Sequence, residues 1–150
     1  MALLNNLTEE IKSAMRAKDA AKLEALRAIK SAVLLAKTAA TAQDELSEEE
    51  EIKLLQKLVK QRKDSAAIYR EQNRDDLALP EETQAAVIAE FLPEQLEVPA
   101  IEKIIDAIID KTGAQGMKDM GKVMGMSTKE MAGKADGKTI SSIVRQKLSD

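Results

Sequence analysis

Apolar residues recur along this chain at three- and four-residue steps almost from end to end, and no stretch alternates with period two for long. That spacing lines one face of an α-helix and offers a sheet nothing to bury. An all-α chain is expected. Leu4, Leu7, Ile11 and Met15 predict a first helix. Asp19 caps a second, which carries Leu23, Leu26, Ile29 and Val33 and runs into an exposed Ala/Thr-rich end at Ala36 to Ala42. Ser47 and Glu50 form a capping-box pair ahead of a third helix, whose stripe is Ile52, Leu55, Leu58, Val59, Ala66 and Tyr69. Asn73 to Leu79 reads as a polar turn. Pro80 opens a fourth helix with Ala85, Ile88, Ala89 and Leu92 on its face and Phe91 at the edge, and Pro93 stops it.

Pro93 and Pro99 bracket a connector. At 150 residues the chain has room for one domain or two small ones, and the boundary is expected here. Residues 1–94 form an N-terminal domain of antiparallel helices, and residues 95–150 a small three-helix domain. In the second, Ile101, Ile104, Ile105 and Ile108 lie on a helix ended by Gly113. Gly116 to Gly125 is a short Met-rich element, Met126 to Met131 is polar, and Asp136 caps a last helix that buries Ile140, Ile143, Val144 and Leu148.

The chain contains no Cys, His or Trp, one Phe and one Tyr. Disulfides, zinc-finger sites, thiol chemistry and a serine triad of the usual kind are thereby excluded. No catalytic residue, metal ligand or cofactor site is assigned. Charge is uneven. Residues 1–110 carry 15 Lys+Arg against 22 Asp+Glu (-7), and residues 111–150 carry 8 against 4 (+4). An anionic partner is expected at the C-terminal end. No apolar run approaches the ~20 residues of a membrane span, and the first ten residues turn acidic too early for a secretory signal. A cytoplasmic protein without membrane contact is expected.

Two segments approach a phosphate-loop pattern: Ala132 to Thr139 (A-G-K-A-D-G-K-T) and Gly116 to Val123. Neither follows a strand, and Val123 has no hydroxyl for magnesium, so nucleotide binding is set aside. The Glu48 to Glu51 run and the Asp75–Asp76 pair are read as helix-start and turn acids rather than cation ligands. Met117, Met120 and Met124 share one face and are read as core. Beside them lie Lys118, Lys122 and Gly125, with Gly121 at the border. Two glycines in one helical turn point either to tight helix packing or to close approach by a phosphate. Lys138 and Arg145 lie opposite the last helix's apolar stripe, and Lys134 precedes its cap. These five cations form either one patch near two helix N-termini, which attract phosphate, or a solvated face. Arg62 falls in the third helix's stripe beside Ser65 and Tyr69, and Lys30 with Arg27 in the second's. They are read as a structural polar cluster between helices.

Seven short segments then resemble the YqeY family, small proteins of the GatB/YqeY group. In order they are A-M-R-A-K-D (14–19), L-R-A-I-K-S-A (26–32), K-Q-R-K-D-S-A-A-I-Y (60–69), R-D-D-L-A (74–78), F-L-P-E-Q-L (91–96), G-K-V-M-G (121–125) and G-K-A-D-G-K (133–138). Asn73 stands where the family usually has Gly, and Asn tolerates the left-handed turn. The resemblance implies a C-terminal domain similar to the tail of the B subunit of tRNA-dependent amidotransferases, which contacts the tRNA body while the chemistry lies in other domains. It places RNA contact at Gly121, Lys122, Gly125, Gly133, Lys134, Ala135 and Lys138. The function expected is a tRNA-binding accessory module that contacts structured RNA through its backbone, because the chain has almost no aromatic rings for base stacking. An adaptor for a synthetase or amidotransferase, docking through the acidic helices and the Met stripe, is the alternative. Glutamine-dependent carbon–nitrogen ligase activity ranks last, since no glutaminase nucleophile, ammonia channel or ATP site is evident.

Overall fold

The computed structural model describes residues 4–39 and 45–149. These form seven α-helices, one short 3-10 turn and no strand. The chain divides into two compact units, Met1–Leu92 and Pro93–Asp150.

The first unit holds α1 (Leu7–Ala17), α2 (Ala20–Ala39), α3 (Glu48–Glu71) and α4 (Asp75–Ala89). Its core joins Leu4, Leu7, Leu26, Ile29, Val33, Leu46, Leu55, Val59 and Ile88. Local chemistry sets the helix starts. Asp19 Oδ1 accepts from the Lys22 amide at 3.1 Å. Ser47 Oγ accepts from the Glu50 amide at 3.2 Å while Glu50 Oε2 accepts from the Ser47 amide at 2.8 Å, a complete capping box. Between α1 and α2 the chain reverses through Lys18 in the left-handed region (φ 56°), and the Lys22–Glu10 ion pair (3.1 Å) ties the two helices. At the end of α2, Ala36 packs on the core and Thr38 and Ala39 are exposed. Residues 40–42 of the expected exposed stretch lie outside the described residues.

Three features differ from the expectations or go beyond them. First, α4 starts at Asp75, so Asp75 to Leu79 is helix and Pro80 lies inside it. An interior proline costs about 3 kcal/mol. A cluster at the α3–α4 turn opposes that cost. Arg70 grips Glu82 through two bonds of 2.8 Å and reaches Asp75 at 3.0 Å. Arg74 holds Asp76 at 3.0 and 2.9 Å. Asn73 turns the chain in the left-handed region (φ 58°). Arg70 thus pins both the first and second turns of α4 to the end of α3, and Ala78 and Ala85 are buried.

Second, the acidic run at α3 is not uniformly solvent-facing. Glu49 pairs with Lys53 at 2.8 Å and Glu50 closes the capping box, but Glu51 is 0% exposed and neither carboxylate oxygen has a partner. Glu51 lies one turn before Leu55, at the head of α3's buried stripe. Third, the polar cluster is distributed differently. Arg62 Nε donates to Gln84 Oε1 on α4 at 3.0 Å, and its Nη1 to the Leu58 carbonyl at 3.2 Å. Ser65 and Tyr69 are half-buried, whereas Arg27 and Lys30 are exposed on α2.

The second unit holds α5 (Val98–Thr112), a 3-10 turn (Met117–Asp119), α6 (Met120–Glu130) and α7 (Gly137–Leu148). Pro99 sits in the first turn of α5, and Gly113 ends it in the left-handed region (φ 68°). Ile101, Ile105, Ile108, Val123, Met131, Ile140, Ile143, Val144 and Leu148 form the core. The Met-rich element does not stop at Gly125. Its helix continues to Glu130, and the stretch read as polar contributes two fully buried residues, Ser127 and Met131. Gly125, in the helix interior, costs about 1 kcal/mol relative to Ala, and Gly121, in the first turn, costs less. Burial of Val123, Met131 and the partly buried Met120, Met124 and Met126 outweighs that cost.

Candidate nucleic-acid interface

Every cation expected at the interface lies in the second unit and is exposed: Lys118, Lys122, Lys134, Lys138 and Arg145. None of the ion pairs among the described residues involves them. On α6 the buried direction is set by Val123 and Ser127. At about 100° per residue, Gly121 and Gly125 fall on the opposite, outermost side, with Lys122 on one flank. On α7, Lys138 and Arg145 lie two turns apart, roughly 10 Å along the axis, and opposite the buried Ile140 and Val144.

The glycines resolve one of the alternatives. A Cβ built at Gly121 or Gly125 meets no atom within 4 Å. Neither needs a positive φ, since the left-handed glycines are Gly113 and Gly133. Tight packing of another helix of the second unit is therefore not their role. They leave a smooth strip of α6 backbone facing outward beside a cationic flank.

Helix N-termini contribute less than expected. The amide of Thr139, in the first turn of α7, donates to Asp136 Oδ1 at 2.6 Å, so a carboxylate already occupies that end. Asp119 precedes α6, its Oδ2 accepting from the Gln115 amide at 3.0 Å. A phosphate at either terminus would meet an aspartate, and attraction rests on the lysine and arginine side chains. The capping role of Asp136 also accounts for A-G-K-A-D-G-K-T as a helix start.

The loop before α7 is tightly held. Gly133 is buried in the left-handed region (φ 76°), Lys134 is exposed and Ala135 is buried. The Lys134 amide donates to the Met131 carbonyl at 2.9 Å, and the Lys134 carbonyl accepts from the Leu96 amide at 2.8 Å. The Gly133 carbonyl accepts from Gln95 Nε2 at 2.6 Å. Sequence reasoning missed Lys129, exposed on α6 seven residues after Lys122 and on the same flank. Gly125 reads locally as the end of the element, which hides the lysine beyond it. Met120 and Met124 pack on the core, and Met117 is 46% exposed, so the Met stripe offers no continuous docking groove.

An all-helical chain with a capped, cationic two-helix face on its second unit is the class that the fold and surface define. The profile of the Yqey-like protein family matches residues 4–148, and the chain belongs to that family. It is 33% identical over 129 residues to Altered inheritance of mitochondria protein 41, mitochondrial, of Meyerozyma guilliermondii, covering 83% of this chain and 66% of that one. The protein of the same name in Vanderwaltozyma polyspora is 30% identical over 155 residues, covering 96% of this chain and 80% of that one. A Glutamyl-tRNA(Gln) amidotransferase subunit of Thermococcus gammatolerans is 35% identical over 80 residues, half of this chain but 13% of that protein. The chain thus spans just under two thirds of the first relative and a small part of the amidotransferase protein.

These relatives correct the expectation of a cytoplasmic protein, because two of them are named as mitochondrial. The acidic N-terminus and the short apolar runs speak to secretion and membrane spanning and carry no information about an organelle. Among the described residues, no helix is long and apolar enough to cross a membrane.

Proposed function

We propose that the chain is an accessory module that binds tRNA or similarly structured RNA through the α6–α7 face of its second unit, in support of tRNA-dependent amidation or aminoacylation. The observation that carries this reading is the pair of outward-facing glycines, Gly121 and Gly125, in a helix that gains nothing from them internally. They sit among cations that enter none of the ion pairs among the described residues. Lys118, Lys122, Lys134, Lys138 and Arg145 contact phosphates, Gly133 shapes the loop that presents Lys134, and the glycine strip lets a sugar–phosphate ridge reach the helix. The kinship with an amidotransferase protein whose name includes tRNA supports the same reading.

Gly121→Ala with Gly125→Ala tests it, because the two expected effects have opposite signs. Both backbones are helical and the space is open, so the pair stabilises the second unit by about 1 kcal/mol, mostly through Gly125. Affinity for bulk tRNA falls at least severalfold. Unchanged affinity in a stabilised protein would refute close approach at the strip. In the unmutated chain, five phosphate contacts give a log–log salt slope of about -4, and single-stranded poly(U) binds more weakly than tRNA. A salt-independent affinity would remove the RNA reading altogether.

A second reading, an adaptor for a synthetase or amidotransferase, draws on the outer face of α2, where Leu34 and Leu35 are 56% and 71% exposed. Capture of an amidotransferase component by the full chain from nuclease-treated extract would favour it. Loss of that capture on nuclease treatment favours RNA.

A further inference from the structure

The connector that opens the second unit is bonded to the loop carrying Lys134. Gln95 Nε2 uses both of its amide hydrogens, one on the Pro93 carbonyl at 2.8 Å and one on the Gly133 carbonyl at 2.6 Å. The next residue, Leu96, donates its backbone N–H to the Lys134 carbonyl at 2.8 Å. Two successive residues of the connector thus engage two successive carbonyls of the loop. From its other side the loop is closed by the Lys134 amide on the Met131 carbonyl at 2.9 Å. Met131 is fully buried, and Gly133 and Ala135 are buried on either side of the exposed Lys134. The Lys134 backbone is fixed at its amide and its carbonyl, and its side chain alone is left to the solvent. Glu94, Glu97 and Ala100 complete a shallow hollow around it.

From this geometry we infer that Gln95 is a positioning residue for Lys134: the Pro93–Glu97 connector clamps the Gly133–Lys134 loop and pre-orders it for an RNA phosphate. The inference rests on the RNA reading of the same face and assigns to it a residue outside that face. The physical reason is entropic. A loop bonded in advance loses less freedom when it meets a ligand, so its contact is worth more. The left-handed Gly133 matters for the same reason, since a β-carbon there would oppose the backbone turn that brings its carbonyl to Gln95. Gln95 itself touches no phosphate, so it affects binding only through the loop.

Gln95→Glu is the test, in the full chain, because it keeps the side chain's length and replaces the donor by an acceptor facing two carbonyls. Gln95→Ala guards against effects of the added charge. Two measurements separate the clamp from the RNA reading. The first is hydrogen exchange in the free protein. Both variants are expected to speed exchange at the Leu96 and Lys134 amides at least tenfold while the Ile140 to Leu148 amides of α7 stay protected. Unchanged exchange at Leu96 and Lys134 overturns the clamp whatever RNA does.

The second is binding of bulk tRNA across a salt series. Loss of one hydrogen bond corresponds to roughly a two- to tenfold change, so Gln95→Ala weakens affinity by that factor and flattens the salt slope by about one. In a Lys134→Ala background Gln95→Ala has no further effect, the non-additivity expected of residues acting as a unit. Additive losses overturn the positioning role, because they mean that Gln95 acts elsewhere. Failure of the unmutated chain to bind tRNA, with the exchange difference present, overturns the RNA reading and with it the service the clamp performs, while leaving the clamp itself demonstrated.

Discussion

The two units differ in how far they pair their basic side chains, although the first also leaves some, such as Arg27 and Lys30, exposed. In the first, Lys12, Lys22, Lys53, Lys60, Arg70 and Arg74 all enter ion pairs, and Arg62 is bonded between α3 and α4. In the second, among the described residues, the ion pair is Lys147 with Asp106, at 2.9 Å. A shortage of acids does not explain this, because residues 93–150 contain nine Asp+Glu and nine Lys+Arg. The difference is placement. Five of those acids, Glu94, Glu97, Glu102, Asp106 and Asp110, lie on the connector and α5, whereas seven of the bases, from Lys118 onward, lie at or beyond the 3-10 turn. The first unit spends charge within its helices and, through Lys22 and Arg70, between them. The second separates its charges, and Lys118, Lys122, Lys129, Lys134, Lys138 and Arg145 enter none of the ion pairs among the described residues.

Reversing charge gives the largest expected contrast. Lys122→Glu with Lys134→Glu should weaken tRNA binding by about ten- to a hundredfold at physiological salt and flatten the salt slope by about two. The thermal midpoint should stay nearly unchanged, since neither lysine has a partner to lose. Lys53→Glu in the first unit should do the reverse, leaving affinity intact and weakening α3 by repulsion from Glu49. If both substitutions affect both properties, the division of labour is wrong.

Glu51 sharpens the contrast, a buried carboxyl group without a hydrogen-bond partner in the unit that carries most of the ion pairs. A buried polar group without a partner costs about 1–3 kcal/mol. Glu51→Met, similar in length and apolar, should therefore raise unfolding stability by about that amount, read as a higher urea midpoint at unchanged m-value. A loss of stability would mean that the carboxylate has a favourable role in the folded chain.

Acid should act on one unit first. Hydrogen bonds from Arg70, Arg74, the Ser47 backbone and Lys53 hold Glu82, Asp76, Glu50 and Glu49 below the usual carboxylate range. Depressed carboxylates contribute stability that is complete above their unfolded values, near pH 4, and that is lost as pH falls through the folded ones. All four lie in the first unit. Residue-resolved exchange between pH 5 and pH 2 should show protection falling in α3 and α4 before α7, by a modest margin because these groups are exposed. Simultaneous loss in both units would break the comparison.

Features with a local cause were readable in the sequence. The Ser47 capping box, the Asp19 and Asp136 caps and the stripes of α2, α3, α5 and α7 depend on residues within one or two turns. Pro80 misled because its best local position is a helix start, and the Arg70 and Arg74 contacts that extend α4 backward come from across a turn. Gly125 misled because its cost in a helix is visible locally, whereas the burial of Ser127 and Met131 that outweighs it is tertiary. Lys129 was lost with that end of the helix. Glu51 looked like its three acidic neighbours until packing set it apart. The five cations were legible because helical phase alone puts them opposite an apolar stripe, but their freedom from partners and the open space over the glycines belong to the folded chain.

The separation of charge within the second unit also bears on how fast it meets a partner. A neutral body with acids toward one element and bases along two others has a permanent dipole moment. Near a polyanion such a body feels a torque before it feels contact, and arrives with its α6–α7 face forward. Stopped-flow association rates should therefore fall with added salt even where equilibrium affinity is held constant by a compensating change elsewhere. Moving an acid from α5 to the far side of α6, at fixed net charge, should slow capture without altering any residue of the contact face.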